Sequence, residues 1–226
     1  MRLISWNVNG RYGPALPRQI AAVAARGADV VALQEVREQS LRAWRDELPR
    51  SGLTHVLDSS DLIARPPLSG REYGRIYFNL IASRWPLQRL PDLLLEFPER
   101  YLAATVGRER AEFELYTAHL PPGSTRGLVK VEMFEALYAR LASIGERPRI
   151  LCGDLNTPRS EHADGTVEFW GANHRPHTER WDAAERSVVL GLAEHDLADV
   201  YRALNGSAAT DASWFARRGE QRWGRR

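Results

Sequence analysis

The sequence predicts an α/β fold in which two β-sheets pack face to face with helices outside. Three features carry that prediction. Strand-like and helix-like segments alternate from the start, a central block holds short strands with few helices, and an amphipathic helix followed by a further strand comes after it. Leu3 to Trp6 reads as the first strand, Pro17 to Arg26 carries apolar residues at helical spacing, and the apolar run Val30 to Leu33 reads as a buried strand. A second helix is expected around Leu41 to Leu48. From Thr54 to Ala118 the pattern turns to strands at Thr54 to Leu57, Leu80 to Ser83, Tyr101 to Val106 and Glu112 to Ala118, separated by segments rich in Pro, Gly and Arg. A helix is predicted from Arg126 to Ser143, with Leu128, Val131, Phe134, Leu137, Tyr138 and Leu141 tracing one apolar face, and Arg149 to Cys152 returns to strand. Ser160 to Trp181 is polar, holds three histidines and lacks periodicity, so it reads as a long loop of the kind that often carries function.

With 43% apolar residues and seven tryptophans, 226 residues can bury a sizeable core, so residues 1–226 are read as one domain. The net charge of +2 neither demands nor excludes a polyanionic partner, which makes any substrate field a local matter. Lys130 is the only lysine among the basic residues, a compositional bias that by itself assigns no site. The single cysteine, Cys152, excludes an internal disulfide and fits a reducing compartment, with the cytoplasm as the default expectation. Asparagines interrupt the N-terminal apolar run too early for a signal peptide, and no stretch approaches membrane-spanning length. A soluble monomer without a membrane span is expected.

Three short motifs place a carboxylate or carboxamide at the end of a predicted strand, where loops gather at a sheet edge. They are Ser5-Trp6-Asn7-Val8-Asn9-Gly10, Leu33-Gln34-Glu35-Val36 and Gly153-Asp154-Leu155-Asn156-Thr157-Pro158. Oxygen ligands of this kind suit a hard divalent cation such as Mg2+ or Mn2+, which takes a few carboxylates and keeps waters for a phosphate to displace. Singly, each has a plain structural reading as well: a turn at Asn9-Gly10, a loop start at Glu35, an Asp154–Asn156 turn held by side-chain bonds. Order and spacing along the chain favour the metal site.

In that order the motifs resemble the successive signatures of the endonuclease/exonuclease/phosphatase superfamily, and the opening one is similar to the branch with exonuclease III and the abasic-site endonucleases. The resemblance extends over Tyr116-Thr117-Ala118-His119-Leu120-Pro121-Pro122-Gly123 and the following Arg126 and Lys130. It implies a four-layer α/β sandwich of two mainly antiparallel sheets flanked by helices. It also implies that Glu35 holds the divalent metal with Asn7 supporting it directly or through water, that Asp154 orients or activates the attacking water, and that Asn156 donates to the phosphate. Phosphodiester hydrolysis needs those types, because charge on the non-bridging oxygens must be neutralised while a nucleophile attacks in line.

His119 departs from the exonuclease III branch, which usually has tyrosine there, and is similar to deoxyribonuclease I, sphingomyelinases and inositol phosphatases. As an imidazolium it is expected to bond the scissile phosphate or protonate a leaving oxygen. Arg126, Lys130 and Arg84 are candidates for a phosphate track, although helical charges commonly form a solvated face. Trp214, after Ser213, resembles a late strand near the family's substrate pocket and either stacks on a base or packs in a core. His162, His174 and His177 match no compact zinc spacing, and zinc is rejected.

The chain ends Trp223-Gly224-Arg225-Arg226, which resembles the opening of the family's Arg-x-Asp strand cut before its aspartate. The last strands and a later Asp-His pair are therefore expected to be missing, and a longer chain carrying them is expected to be the active form. The leading expectation is a Mg2+- or Mn2+-dependent phosphodiester hydrolase, a nuclease acting on DNA or RNA. The first alternative is a phosphatase or lipid phosphodiesterase on the same scaffold; the second is a non-catalytic binding domain that has lost its last catalytic strand.

Overall fold

In chain order the elements are β1 (Leu3–Asn7), α1 (Leu16–Ala25), β2 (Val30–Val36), α2 (Glu38–Arg50), β3 (His55–Asp58), β4 (Phe78–Ser83), β5 (Leu87–Arg89), β6 (Tyr101–Arg108), β7 (Ala111–His119), α3 (Val129–Leu141) and β8 (Arg149–Asp154). Then follow β9 (Ser160–Glu161), β10 (Val167–Glu168), α4 (Thr178–Val189), α5 (Val200–Asn205), β11 (Trp214–Arg218) and β12 (Gln221–Arg225). This computed structural model describes residues 1–64, 76–108, 111–209, 214–218 and 221–225, with 63, 64, 108 and the last two stretches described by backbone alone. The segment Arg65 to Gly74 lies outside the described residues, as do Ser213, Arg226 and the side chain of Trp214. Contacts divide the chain into two compact units, Met1–Leu120 with Gly145–Leu155 and Pro121–Ile144 with Asn156–Arg226.

The first unit holds two four-stranded sheets, ordered β1-β2-β4-β3 and β5-β6-β7-β8. Each contains one parallel pair, β1 with β2 and β7 with β8, and is otherwise antiparallel. The unbroken apolar run of β2 follows from burial on both faces. Val30 joins Ile81, Leu102, Ala104, Val106 and Leu115 between the sheets. Val31 and Leu33 point the other way, onto Val23 of α1 and Trp44 and Leu48 of α2. Each fully buried aliphatic side chain of this kind contributes roughly 1.5–3 kcal/mol.

The second unit is helical around α3 and α4, with two short hairpins, β9–β10 and β11–β12. Arg180 grips Glu135 through two parallel hydrogen bonds of 2.8 Å each, the bidentate geometry a guanidinium prefers. The predicted loop from Ser160 to Trp181 is corrected here: it contains the β9–β10 hairpin, a turn of 3-10 helix at Gly171–Asn173 and the first turn of α4. The helix escaped notice because its buried stripe of Trp181, Ala184, Glu185 and Val188 starts at the segment's last residue and includes an acid. Similarly, α3 starts three residues later than predicted, after the left-handed Gly127.

Candidate metal and catalytic site

The two parallel pairs of the first unit end at one edge. Asn7 is the last residue of β1 and pairs with Gln34 of β2, while His119 and Asp154 are the last residues of β7 and β8 and pair with each other. Glu35 reaches this edge by a break in β2: the register with β4 shifts between Leu33 and Val36, and Glu35 takes a left-handed φ of 58°. Among the described residues four non-glycine residues have positive φ, and Asn9, Glu35 and Asn156 put three of them in the three motifs. Such conformations cost about 1–3 kcal/mol each, so their concentration there marks a site the surrounding fold over-determines.

Below this edge a polar seam joins the sheets. Gln34 Nε2 donates to Thr117 Oγ1 (2.9 Å), and Asn79 Nδ2 donates to the carbonyls of Thr117 (3.1 Å) and Arg100 (2.7 Å). Gly153 brings β8 against β7: with φ +136°, a Cβ there would meet the Ala118 carbonyl oxygen at 2.0 Å. This explains why a glycine precedes the aspartate. Gly10 closes the opening motif in the same manner, its Cβ position lying 2.9 Å from the Tyr77 ring.

Asn7 ties the carboxylates together. Its Nδ2 donates to Glu35 Oε1 (2.8 Å) and Asp154 Oδ2 (2.7 Å), and its Oδ1 accepts from the Asn9 backbone N–H (2.8 Å), which fixes the amide's orientation. One ligand atom each from Glu35, His119 and Asp154 lie within 4.8 Å of one another. Burial holds the Glu35 carboxyl above its usual range; the Asn7 bond opposes this, the neighbouring Asp154 charge adds to it, and Arg100 and Arg37 oppose it. His119 is 4% exposed. Burial, and then the charge of Arg100, lower its pKa to about 3. The expected imidazolium is thereby corrected to a neutral ring, so its Nε2, 3.5 Å from Glu35 Oε1, makes no ion pair. Its Nδ1 is buried without a hydrogen-bond partner, and the ring stands edge-on to Tyr77 with centroids 5.9 Å apart.

Arg37, Arg100 and Tyr77 were not anticipated from sequence. Tyr77 lies beneath both guanidiniums, 5.7 Å from Arg37 and 6.0 Å from Arg100, and both cations act on Glu35. Arg37 follows Glu35 by two residues, which was the one local clue. Arg84 is not on this edge. It pairs with Asp29 (3.3 Å) beside the Val30↔Ser83 end of the first sheet, the end away from Asn7 and Glu35. Burial, opposed by bonds to Ser5 and Thr117, pushes the Cys152 thiol up to about 11.

In the second unit Arg126 is exposed ahead of α3, whereas Lys130 is fully buried. Its Nζ lies 2.7 Å from Glu185 Oε1 and donates to the Asn156 carbonyl at 2.7 Å, which replaces the expected solvent-facing phosphate track with an internal role. His174 stacks on Trp181 with centroids 3.6 Å apart, and His162 lies 3.5 Å from Glu168 in the β9–β10 hairpin.

A model of the endonuclease/exonuclease/phosphatase family matches residues 4–182. A DNA-(apurinic or apyrimidinic site) endonuclease of Dictyostelium discoideum is 23% identical over 216 residues, covering 91% of this chain and 54% of that protein. The chain thus spans about half the length of this curated relative. Among solved structures, an AP endonuclease from Archaeoglobus fulgidus is similar with a TM-score of 0.59 at 18% identity, over 90% of this chain and 74% of that one. An endonuclease/exonuclease/phosphatase from Beutenbergia cavernae DSM 12333 has a TM-score of 0.55 at 20% identity, over 81% of this chain and 53% of that one. These structures share its α/β sandwich fold, with mixed sheets flanked by helices. No described helix is long and apolar enough to cross a membrane.

Proposed function

Because the chain belongs to the endonuclease/exonuclease/phosphatase family, a family of phosphoester hydrolases, we propose that it forms the metal- and water-handling part of a divalent-cation-dependent phosphodiesterase acting on nucleic acid. The observation that supports this best is the joining of Glu35 and Asp154 through the Asn7 amide beside a neutral, buried His119. These residues fit a divalent cation. Two carboxylates stand close enough for the charge of Asp154 to raise the Glu35 pKa, and a neutral imidazole faces them.

Glu35, His119 and Asp154 would hold the ion, with Asn7 keeping the carboxylates in place. A bound divalent cation supplies charge neutralisation for the non-bridging phosphate oxygens. Asp154 accepts the proton of the attacking water, and Asn156, two residues on in sequence, donates its amide to the phosphate as the family resemblance implies. Arg37 and Arg100, stacked about Tyr77, add positive charge for the same phosphate. Nucleic acid is preferred as substrate because the curated relative is named for abasic DNA. A small phosphoester is the second reading, favoured by the net charge of only +2.

Calorimetry with Mn2+, hydrolysis of a generic phosphodiester and a salt titration of binding to short DNA test these readings together. Cation binding lost in Glu35→Gln, metal-dependent turnover and a steep salt slope support the nuclease. A flat slope with turnover assigns a small phosphoester, and no cation binding overturns the site.

A further inference from the structure

The second unit buries a lysine and a glutamate against each other, and neither belongs to the cation site. Lys130 and Glu185 have no exposed side-chain surface, and their Nζ and Oε1 are 2.7 Å apart. Burying two charges is justified energetically only when the remaining bonding capacity is used. Here backbone groups take up part of it. Lys130 Nζ donates to the carbonyl of Asn156 (2.7 Å), and Glu185 Oε2 accepts from the Trp170 N–H (2.9 Å). Phe134 and Trp181 also flank the lysine, with ring centroids 5.6 Å and 5.8 Å from Nζ. A cation held between the Glu185 carboxylate and a carbonyl is a donor of defined direction.

The residue it holds is the one that needs holding. Asn156 sits in the left-handed region at φ 50°, a conformation that a short polar side chain tolerates but does not prefer. A hydrogen bond to its own carbonyl from a buried ammonium fixes the peptide plane after it, and hence the direction in which Cα presents the carboxamide. We propose that Lys130 and Glu185 are positioning residues that act through Asn156: the ion pair clamps the Asn156 backbone so that its side-chain amide is presented in one orientation to a phosphate. The inference rests on the reading of Asn156 as a phosphate donor, and the clamp itself is testable without it.

The experiment uses the 226-residue chain with labelled backbone amides and carbonyls. Lys130→Met alone strands a buried carboxylate and risks unfolding, so the deciding variant is Lys130→Met with Glu185→Gln, which removes both charges and keeps an acceptor for the Trp170 N–H. A clamp predicts that this double variant stays folded, that the Asn156 carbonyl resonance moves upfield, and that the Thr157 amide order parameter falls from about 0.85 toward 0.6 while the Asn7 and Glu35 amides stay put. Unchanged Asn156 and Thr157 signals overturn the clamp and leave the pair a core contact only.

The kinetic arm compares turnover with Mn2+. The clamp predicts a kcat lower by about tenfold to a hundredfold, with KM and the salt slope of DNA binding nearly unchanged. A raised KM with a shallower salt slope overturns the clamp in favour of a direct phosphate contact. An inactive 226-residue chain is the outcome expected if the missing last strands are needed for turnover, and the amide measurement still decides the role of Lys130.

Discussion

Two charge clusters in this chain, one half-buried and one fully buried, have been treated in opposite ways. In the first unit Glu35 and Asp154 share the two N–H groups of Asn7, the Asp154 charge raises the Glu35 carboxyl, and a neutral imidazole supplies no compensation. In the second unit the single lysine meets a single glutamate with no exposed surface on either, and each has a backbone partner as well. The first arrangement is electrostatically incomplete and suits a cation; the second is complete in charge and suits a scaffold. Residue type alone would have sorted them differently, since lysine suggests phosphate and asparagine a turn.

The largest expected effect breaks the completed cluster. Lys130→Met leaves Glu185 buried and unpaired and should lower unfolding free energy by about 3–5 kcal/mol, with the further Glu185→Gln change recovering most of it in denaturant titrations. No recovery would mean that the ammonium's packing, not its charge, carries the stability. Next comes Gly153→Ala: its Cβ meets backbone at 2.0 Å, so β7 and β8 must separate at the site, with an expected loss of about 3 kcal/mol by thermal unfolding. A near-neutral result would show that β8 can shift freely beneath Asp154.

Within the incomplete cluster, Asp154→Asn in an active form of the enzyme should reduce turnover by at least about a hundredfold, equivalent to about 2.7 kcal/mol, because the proton acceptor is lost while substrate contacts remain. A raised KM at constant kcat would instead make Asp154 a binding residue.

Glu35→Gln should weaken Mn2+ binding by about tenfold in calorimetry and, in metal-free protein at neutral pH, raise the thermal midpoint by about 2–4 °C. The sign follows from the shift. A carboxyl whose folded pKa is raised above 4.5 contributes stability below that pH and loses it as the pH rises through the folded value. The advantage of glutamine should therefore vanish once the pH falls below about 4.5. A variant less stable than wild type at pH 7 would show that the Glu35 charge is already compensated by Arg37 and Arg100.

Much of this was legible in the sequence. The strand-like and continuous apolar runs located β1 to β4 and β6 to β8, because a strand buried on both faces, such as Val30–Val36, has few other readings, whereas the three-residue β5 is too short to leave a pattern. Asn7, Glu35 and Asp154 were legible as strand-ending polar residues, and the glycines at 10 and 153 fit the tight approaches found there. The family resemblance added His119. The buried role of Lys130 also left a trace, since it stands four residues before Phe134 and seven before Leu137 on the apolar face of α3, as Glu185 stands four after Trp181 on that of α4. Neither helix by itself says what its buried charge meets.

What the sequence determined by itself was therefore the periodicity, the fold class and the set of residue types able to bind a cation at strand ends. These depend on near neighbours along the chain, which is all that spacing reports. The tertiary structure alone decided the protonation of His119, the arrival of Arg37, Arg100 and Tyr77 around Glu35, and the pairing of Lys130 with Glu185. Each depends on burial and on charges brought together from distant positions. Electrostatic energy varies with distance and local polarity in space, and neither is written in the spacing of residues along a chain.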